Sequence, residues 1–311
     1  MTIPCAFGLD SAATIAEQQV AAHHGAGWIE PGVLRLALTT PTLPPATTTN
    51  HVFIGRDAAV IVDPSAPSIA DHDVITALKD ALVADAGWTF SALLLSHHHR
   101  DHIGAAAALR ERLHLPVVAH VATVDLVADA VIVDATLAEG DRVGDSGDNG
   151  FTVVHLPGHA PGLIALHRDR GRWRGGAIVT DMVAGEGTIL VDPSDGDMGH
   201  YLSSLERLRS LQLRWMLPAH GDVMDVPDAV LHRYLQHRRR REARILSALN
   251  AQPICEDDLL PAAYGDVDPA IWPLAVRALR SHLMHLERQG LVDSIAGGGG
   301  AIGWRVRTLS V

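Results

Sequence analysis

Four histidines and an aspartate crowd into six residues of the stretch LLLSHHHRDHIG, Leu93 to Gly104. The apolar run that leads into them, FSALLLS, is continuous rather than alternating, so it reads as a strand buried on both faces. The Ala-rich IGAAAALRERLHL that follows reads as a helix. This junction restricts the fold more than any other feature. A buried strand feeding a helix belongs to a layered α/β structure and sets the polar cluster at the C-terminal edge of a sheet.

The rest of the chain fits that frame. Gly32–Thr40 and Asn50–Pro64 read as strands, the second a hairpin turning at Gly55-Arg56-Asp57. Helical spacing runs through Asp71–Gly87 and stops at the glycine. PVVAH, TLAEGDRVG, FTVVHLPGH, GAIVTDMV and RWMLPAHGD add strands, and YLSSLERLRSL adds a helix. The expected class is α/β, a sandwich of sheets covered by helices. After Asp225 the pattern turns helical, from PDAVLHRYLQHRRRREARILSALN to LAVRALRSHLMHLERQGLVDSI. It closes on a hairpin whose loop is AGGGGA, which together resembles a winged helix. Residues 1–225 and 226–311 are therefore expected to be separate domains.

Imidazole nitrogen and carboxylate oxygen bind zinc at about 2.0–2.2 Å. His97 and His99, two apart, can face one metal, while Asp101 and His102, further round the turn, can face another. His159 in LPGHAPG, Asp181 in IVTDMV and His220 in LPAHGD each follow a strand-like run, so they can converge on the same sheet edge. Five histidines and two aspartates suffice for two ions with a position left for water. Cys5 and Cys255 are too few for a thiolate zinc site.

In this order the motifs resemble those of the metallo-β-lactamase fold hydrolases, across roughly Gly32 to Asp222. The resemblance implies an αββα sandwich and two zinc ions, and the ligand set suits iron or manganese as well. It implies that His97, His99 and His159 hold one metal, that Asp101, His102 and His220 hold the other, and that Asp181 bridges them. EGTILVDPSDGDMGHYLSSLERL, HRRRREARILSAL and LRSHLMHLERQGLV are similar to the β-lactamase-like protein 2 subgroup, which carries a small C-terminal helical domain. That subgroup includes single-stranded RNA endonucleases and, in fungal relatives, thioesterases acting on acyl carrier proteins. Two departures stand out: Thr48-Thr49-Asn50 replaces Gly-Thr-Asn, and Asp63-Pro64-Ser65 replaces Asp-Pro-Gly. Neither is expected to touch a ligand, so they bear on substrate contacts.

The implied chemistry is hydrolysis by a hydroxide shared between two metals about 3.5–4 Å apart. Asp101 and Asp181 would be the catalytic carboxylates, with Asp101 orienting the nucleophile. Asp63, at a strand end, is a candidate acceptor for a ligand imidazole, and His200 in GDMGHY is a candidate proton donor. The leading substrate is a thioester or ester, as a small molecule or on an acyl carrier. An RNA phosphodiester is the alternative, supported by the run HRRRRE, His237–Glu242, whose plainer reading is a solvated helix face. A β-lactam substrate and a non-catalytic binding role come after these. A net charge of −11 gives no overall attraction for nucleic acid. With neither a signal-peptide pattern nor a membrane-length apolar run, the expectation is a cytoplasmic protein without a membrane partner.

Overall fold

The computed structural model describes residues 15–145, 147, 149–296 and 302–307. Cys5 and most of the AGGGGA loop lie outside the described residues. The chain forms two compact units. The first runs to Leu156 and also takes in Pro161–Thr188 and Leu211–Asp228; the second takes in Pro157–Ala160, Ile189–Ser210 and the chain from Ala229 onward.

The first unit is built on two sheets. The seven-stranded sheet runs in sequence order: β1 (Gly27–Glu30), β2 (Val33–Thr39), β3 (Thr48–Ile54), β4 (Ala59–Val62), β5 (Phe90–Leu95), β6 (Val117–His120) and β7 (Ala135–Leu137). The five-stranded sheet comprises β8 (Arg142–Val143), β9 (Phe151–His155), β10 (Ile164–His167), β11 (Gly176–Thr180) and β12 (Trp215–Pro218). Successive residues of the first sheet alternate between two cores, as a period of two requires. Val60, Val62, Ala92 and Leu94 meet Phe151, Val153, Leu166 and Ile178 of the second sheet. Ala59, Ile61, Leu93 and Leu95 point the other way, into a helix-lined core. This double burial explains why Ala92–Leu95 is apolar without a break.

Helices cover that outer face: α1 (Ile15–His23), α2 (Ile69–Ala86), α3 (Arg100–Ile103), α4 (Ala106–Leu113) and α5 (Val121–Val127). Ser68 caps α2 by accepting from Asp71 N at 3.1 Å, and Gly87 ends it in the left-handed region. The segment expected as one helix after the histidines is two, α3 and α4. It breaks at Gly104, where a Cβ would stand 2.7 Å from the Ser65 carbonyl. TLAEGDRVG likewise supplies two strands, β7 and β8, belonging to different sheets. The strands β1 and β10 are not among those expected from the sequence.

The second unit holds α6 (Met198–Ser210), most of α7 (Pro227–Ala248), α8 (Glu256–Tyr264) and α9 (Trp272–Arg288). Its sheet is ordered β13 (Ile254–Cys255), β15 (Ile302–Val306), β14 (Val292–Ala296). Leu259, Leu279, Leu283, Val292 and Trp304 share its core. Helices with a two-stranded wing match the winged-helix expectation. The arginine run on α7 is only partly a solvated face. Arg238 and Arg241 are buried; Arg238 donates to the Ile189 carbonyl and lies over the Tyr201 ring, while Arg241 donates to Ala263 O and Asp266 and lies over Tyr264. Arg239 and Arg240 are exposed, and Arg239 pairs with Glu206 at 2.9 Å. Among the described residues no helix is long and apolar enough to cross a membrane.

Candidate metal centre

Parallel pairing in each sheet brings the candidate ligands to one edge. In the first sheet β4, β5 and β6 run parallel, so Asp63 and the SHHH segment both leave at C-terminal ends. In the second, β11 and β12 are parallel, and Asp181 and His220 follow them directly. Asp63 and Thr180 carry positive φ values of 52° and 46°, strained for residues other than glycine. Both strained positions border the candidate ligands, where local strain is commonly retained for a purpose.

Six of the seven expected ligands lie in the first unit and gather in two groups. One donor atom each from His97, His99 and Asp181 lies within 4.8 Å of the others, and so do donors from Asp101, His102 and His220. Asp181 also approaches the second group. Its Oδ2 is 3.5 Å from His102 Nε2 and its Oδ1 is 3.5 Å from His220 Nε2. Asp101 Oδ2 is 3.5 Å from His220 Nε2, and His97 Nε2 is 3.0 Å from His99 Nδ1. His97 and His102 are fully buried.

The opposite nitrogens of these rings are tied down. His102 Nδ1 donates to Asp63 Oδ2 at 2.9 Å, and His220 Nδ1 donates to the Thr48 carbonyl at 2.8 Å. His97 Nδ1 lies 3.0 Å from Ser96 Oγ, which itself donates to Asp63 Oδ2 at 2.8 Å. Asp63 also accepts from Ser96 N, so one carboxylate orients two imidazoles. With Nδ1 protonated in each ring, the Nε2 lone pairs face the carboxylates. Beside His220, Gly221 has φ 99°, and a Cβ there would stand 2.7 Å from Gly185 Cα. The glycine of LPAHGD therefore permits the close turn that presents the histidine.

These residues fit a metal site. Donor atoms each about 2.0–2.2 Å from one tetrahedral ion stand about 3.3–3.6 Å apart, close to the separations here. His102 Nε2 is buried with no close hydrogen-bond partner among the described residues. Burial would push the His102 pKa down, yet Asp181 and Asp63 hold it well above its ordinary value. His220 is also raised, Asp181 outweighing the effect of burial. A pocket that draws a proton so strongly onto neutral nitrogen offers the same attraction to a metal ion.

The other expected residues sit as follows. His159 is in the second unit, 7% exposed, its Nδ1 donating to the Leu190 carbonyl at 2.8 Å. His200 is exposed on α6, its backbone N donating to Asp197 Oδ1 at 2.9 Å. One departure from the family pattern does touch a ligand, since Thr48 holds His220. It does so through its backbone carbonyl, which glycine would supply equally. Thr42 was not anticipated: its Oγ1 lies 3.3 Å from His220 Nε2, on a loop whose Pro- and Thr-rich composition carries no ligand pattern.

Removing the Asp63 carboxylate should loosen this arrangement. Asp63→Ala is expected to weaken metal affinity by about 10- to 100-fold, because His102 loses the acceptor that fixes its tautomer. Titration of the folded variant against a competing chelator checks this; unchanged affinity would mean Asp63 only supports the backbone.

Comparison with known proteins agrees with the geometry. Residues 44–220 match the family described as Metallo-beta-lactamase superfamily, and residues 256–304 match the Beta-lactamase associated winged helix domain. The chain is 25% identical over 276 residues to the Beta-lactamase-like protein 2 homolog of Drosophila melanogaster, covering 83% of this chain and 88% of that one. It is 35% identical over 128 residues to a Hydroxyacylglutathione hydrolase of Cereibacter sphaeroides, covering 40% of this chain and 45% of the relative. A Beta-lactamase domain protein from Burkholderia ambifaria superposes with a TM-score of 0.79 at 21% identity, covering 98% and 96% of the two chains.

Proposed function

The chain belongs to the metallo-beta-lactamase superfamily of metal-dependent hydrolases, and from that premise we propose that it hydrolyses acyl thioesters at a centre of two zinc ions. The observation that carries this reading is the pair of donor groups meeting at Asp181. His97 and His99, with His159 as the third imidazole of the family pattern, would hold one ion. Asp101, His102 and His220 would hold the other, and Asp181 would reach both. Residues 1–225 are taken as the catalytic domain and 226–311 as the winged-helix-like domain.

Two ions held there would acidify a water and draw charge from the acyl oxygen. The protein's own part is orientation. Asp63, Ser96 and the Thr48 carbonyl hold the imidazole tautomers, and Asp101 would accept a hydrogen bond from the attacking water. In this reading all six donors gathered in the first unit are committed as ligands. Such a site suits a leaving group that needs no proton, and a thiolate departs unprotonated more readily than an alkoxide. Glutathione carries acyl groups on its thiol, so the partial similarity to a hydroxyacylglutathione hydrolase supports the same class. The ribonuclease reading loses half of its support on α7, where Arg238 and Arg241 turn inward.

The test offers zinc-loaded protein an acyl-glutathione thioester and, separately, labelled single-stranded RNA. Thioester cleavage that stops on chelation and returns with zinc is the expected result. Cleavage of RNA alone, weakening as salt rises, would replace this reading with the phosphodiester one.

A further inference from the structure

The turn that carries His220 is held from β3 by one side chain with every polar atom in use. Asn50 is 2% exposed. Its Nδ2 donates to the Pro218 carbonyl at 2.8 Å and to the Gly221 carbonyl at 2.8 Å, while its Oδ1 accepts from Arg35 Nε at 2.6 Å. Its backbone N–H donates to the Ala219 carbonyl at 2.8 Å. Two residues earlier on the same strand, Thr48 accepts the His220 Nδ1 proton. Arg35, on β2, continues to Asp222 Oδ1 at 2.5 Å. Bonds from β2 and β3 thus reach Pro218, Ala219, His220, Gly221 and Asp222, the whole turn on both sides of the ligand.

We propose that Asn50, assisted by Arg35, is a positioning residue that sets His220 and thereby governs metal binding at the second position, formed with Asp101 and His102. The inference rests on the dinuclear reading of the site. The chemistry of the amide decides which side chain can do this. Asn50 must donate twice to carbonyls on the two sides of His220 and accept once from a guanidinium. Asparagine supplies two donors and an acceptor in one plane, whereas aspartate would set a carboxylate oxygen against two carbonyl oxygens. The effect is selective because the other group is held elsewhere. His97 and His99 leave β5, and His97 is oriented through Ser96 and Asp63, with which Asn50 shares no hydrogen bond among the described residues.

The experiment is metal binding by full-length protein, read as zinc ions per chain during stepwise chelator competition, with thermal unfolding recorded alongside. Asn50→Asp should fold, keep the first ion with the parent's affinity, and bind the second about 10- to 100-fold more weakly, the scale for losing a partner that orients a ligand. Arg35→Met leaves Asn50's own donor bonds in place and should shift the second ion in the same direction by less. This variant keeps the test decisive if Asn50→Asp does not fold. A purely structural role would lower the unfolding temperature and weaken both ions together, and that result overturns the proposal. If the parent binds two ions and the folded variants bind both unchanged, the Asn50 inference alone fails. If the parent binds only one, the dinuclear reading fails and takes this inference with it.

Discussion

Asp181→Ala is expected to cut thioester turnover by at least about a thousandfold and to leave no more than one tightly held zinc per chain. The magnitude follows from the several kcal/mol of charge stabilisation that paired metal ions provide, at about 1.4 kcal/mol per tenfold in rate. Asp181 is 5% exposed, and its two oxygens face His102 and His220 while it shares a donor group with His97 and His99. Asp63 also reaches both groups, but behind the rings, at His102 Nδ1 and through Ser96 at His97 Nδ1, rather than at the facing donor atoms. Elemental analysis beside a single-turnover assay checks the result. A variant that keeps both ions and most of its rate would overturn the bridging role proposed for Asp181.

The second large effect concerns stability. Arg168 and Glu30 form a buried ion pair at 2.7 Å that links the end of β10 to β1 across the two sheets. Glu30 also accepts from Trp215 Nε1 at 3.0 Å, and the Arg168 guanidinium lies 4.6 Å above the Phe151 ring. Burial raises the Glu30 pKa and lowers that of Arg168, so each charge depends on the other. Arg168→Met should therefore destabilise the protein by about 3 kcal/mol, the low end for breaking a buried pair, since it leaves the carboxylate in the core with only the half-exposed Arg214 at 3.4 Å as counter-charge. Adding Glu30→Gln should restore much of that loss, because the neutral amide needs no counter-charge. Denaturant melts of the two single variants and the double close the cycle. If the double falls by the sum of the singles, the two charges do not depend on one another.

Much of the candidate metal centre was legible because its candidate ligands follow strands. A continuous apolar run ending in SHHHRDH, and further runs ending in His159, Asp181 and His220, place polar groups at strand ends with no knowledge of the fold. Asp63 was legible for the same reason, and the structure gives it the His102 Nδ1 proton. The winged unit was legible from helical periodicity and a terminal hairpin. Asn50 was not. It was noticed only as part of a departure from a family pattern, and nothing local distinguishes it from a substrate-facing residue. Its bonds to Pro218 and Gly221 span 168 and 171 positions of sequence. Arg238 and Arg241 were misleading for a related reason. Four consecutive arginines sample all sides of a helix, and the run itself does not say which side meets a core.

The sequence by itself determined the candidate ligand types, their order and their attachment to strand ends, because alternation, turns and side-chain chemistry are properties of short stretches. Only the tertiary structure decided which donors share a group, which ring nitrogen is held by a neighbour, and which charges go inward. Those are questions of distance between residues far apart in the chain, and they are answered when two sheets align their parallel edges.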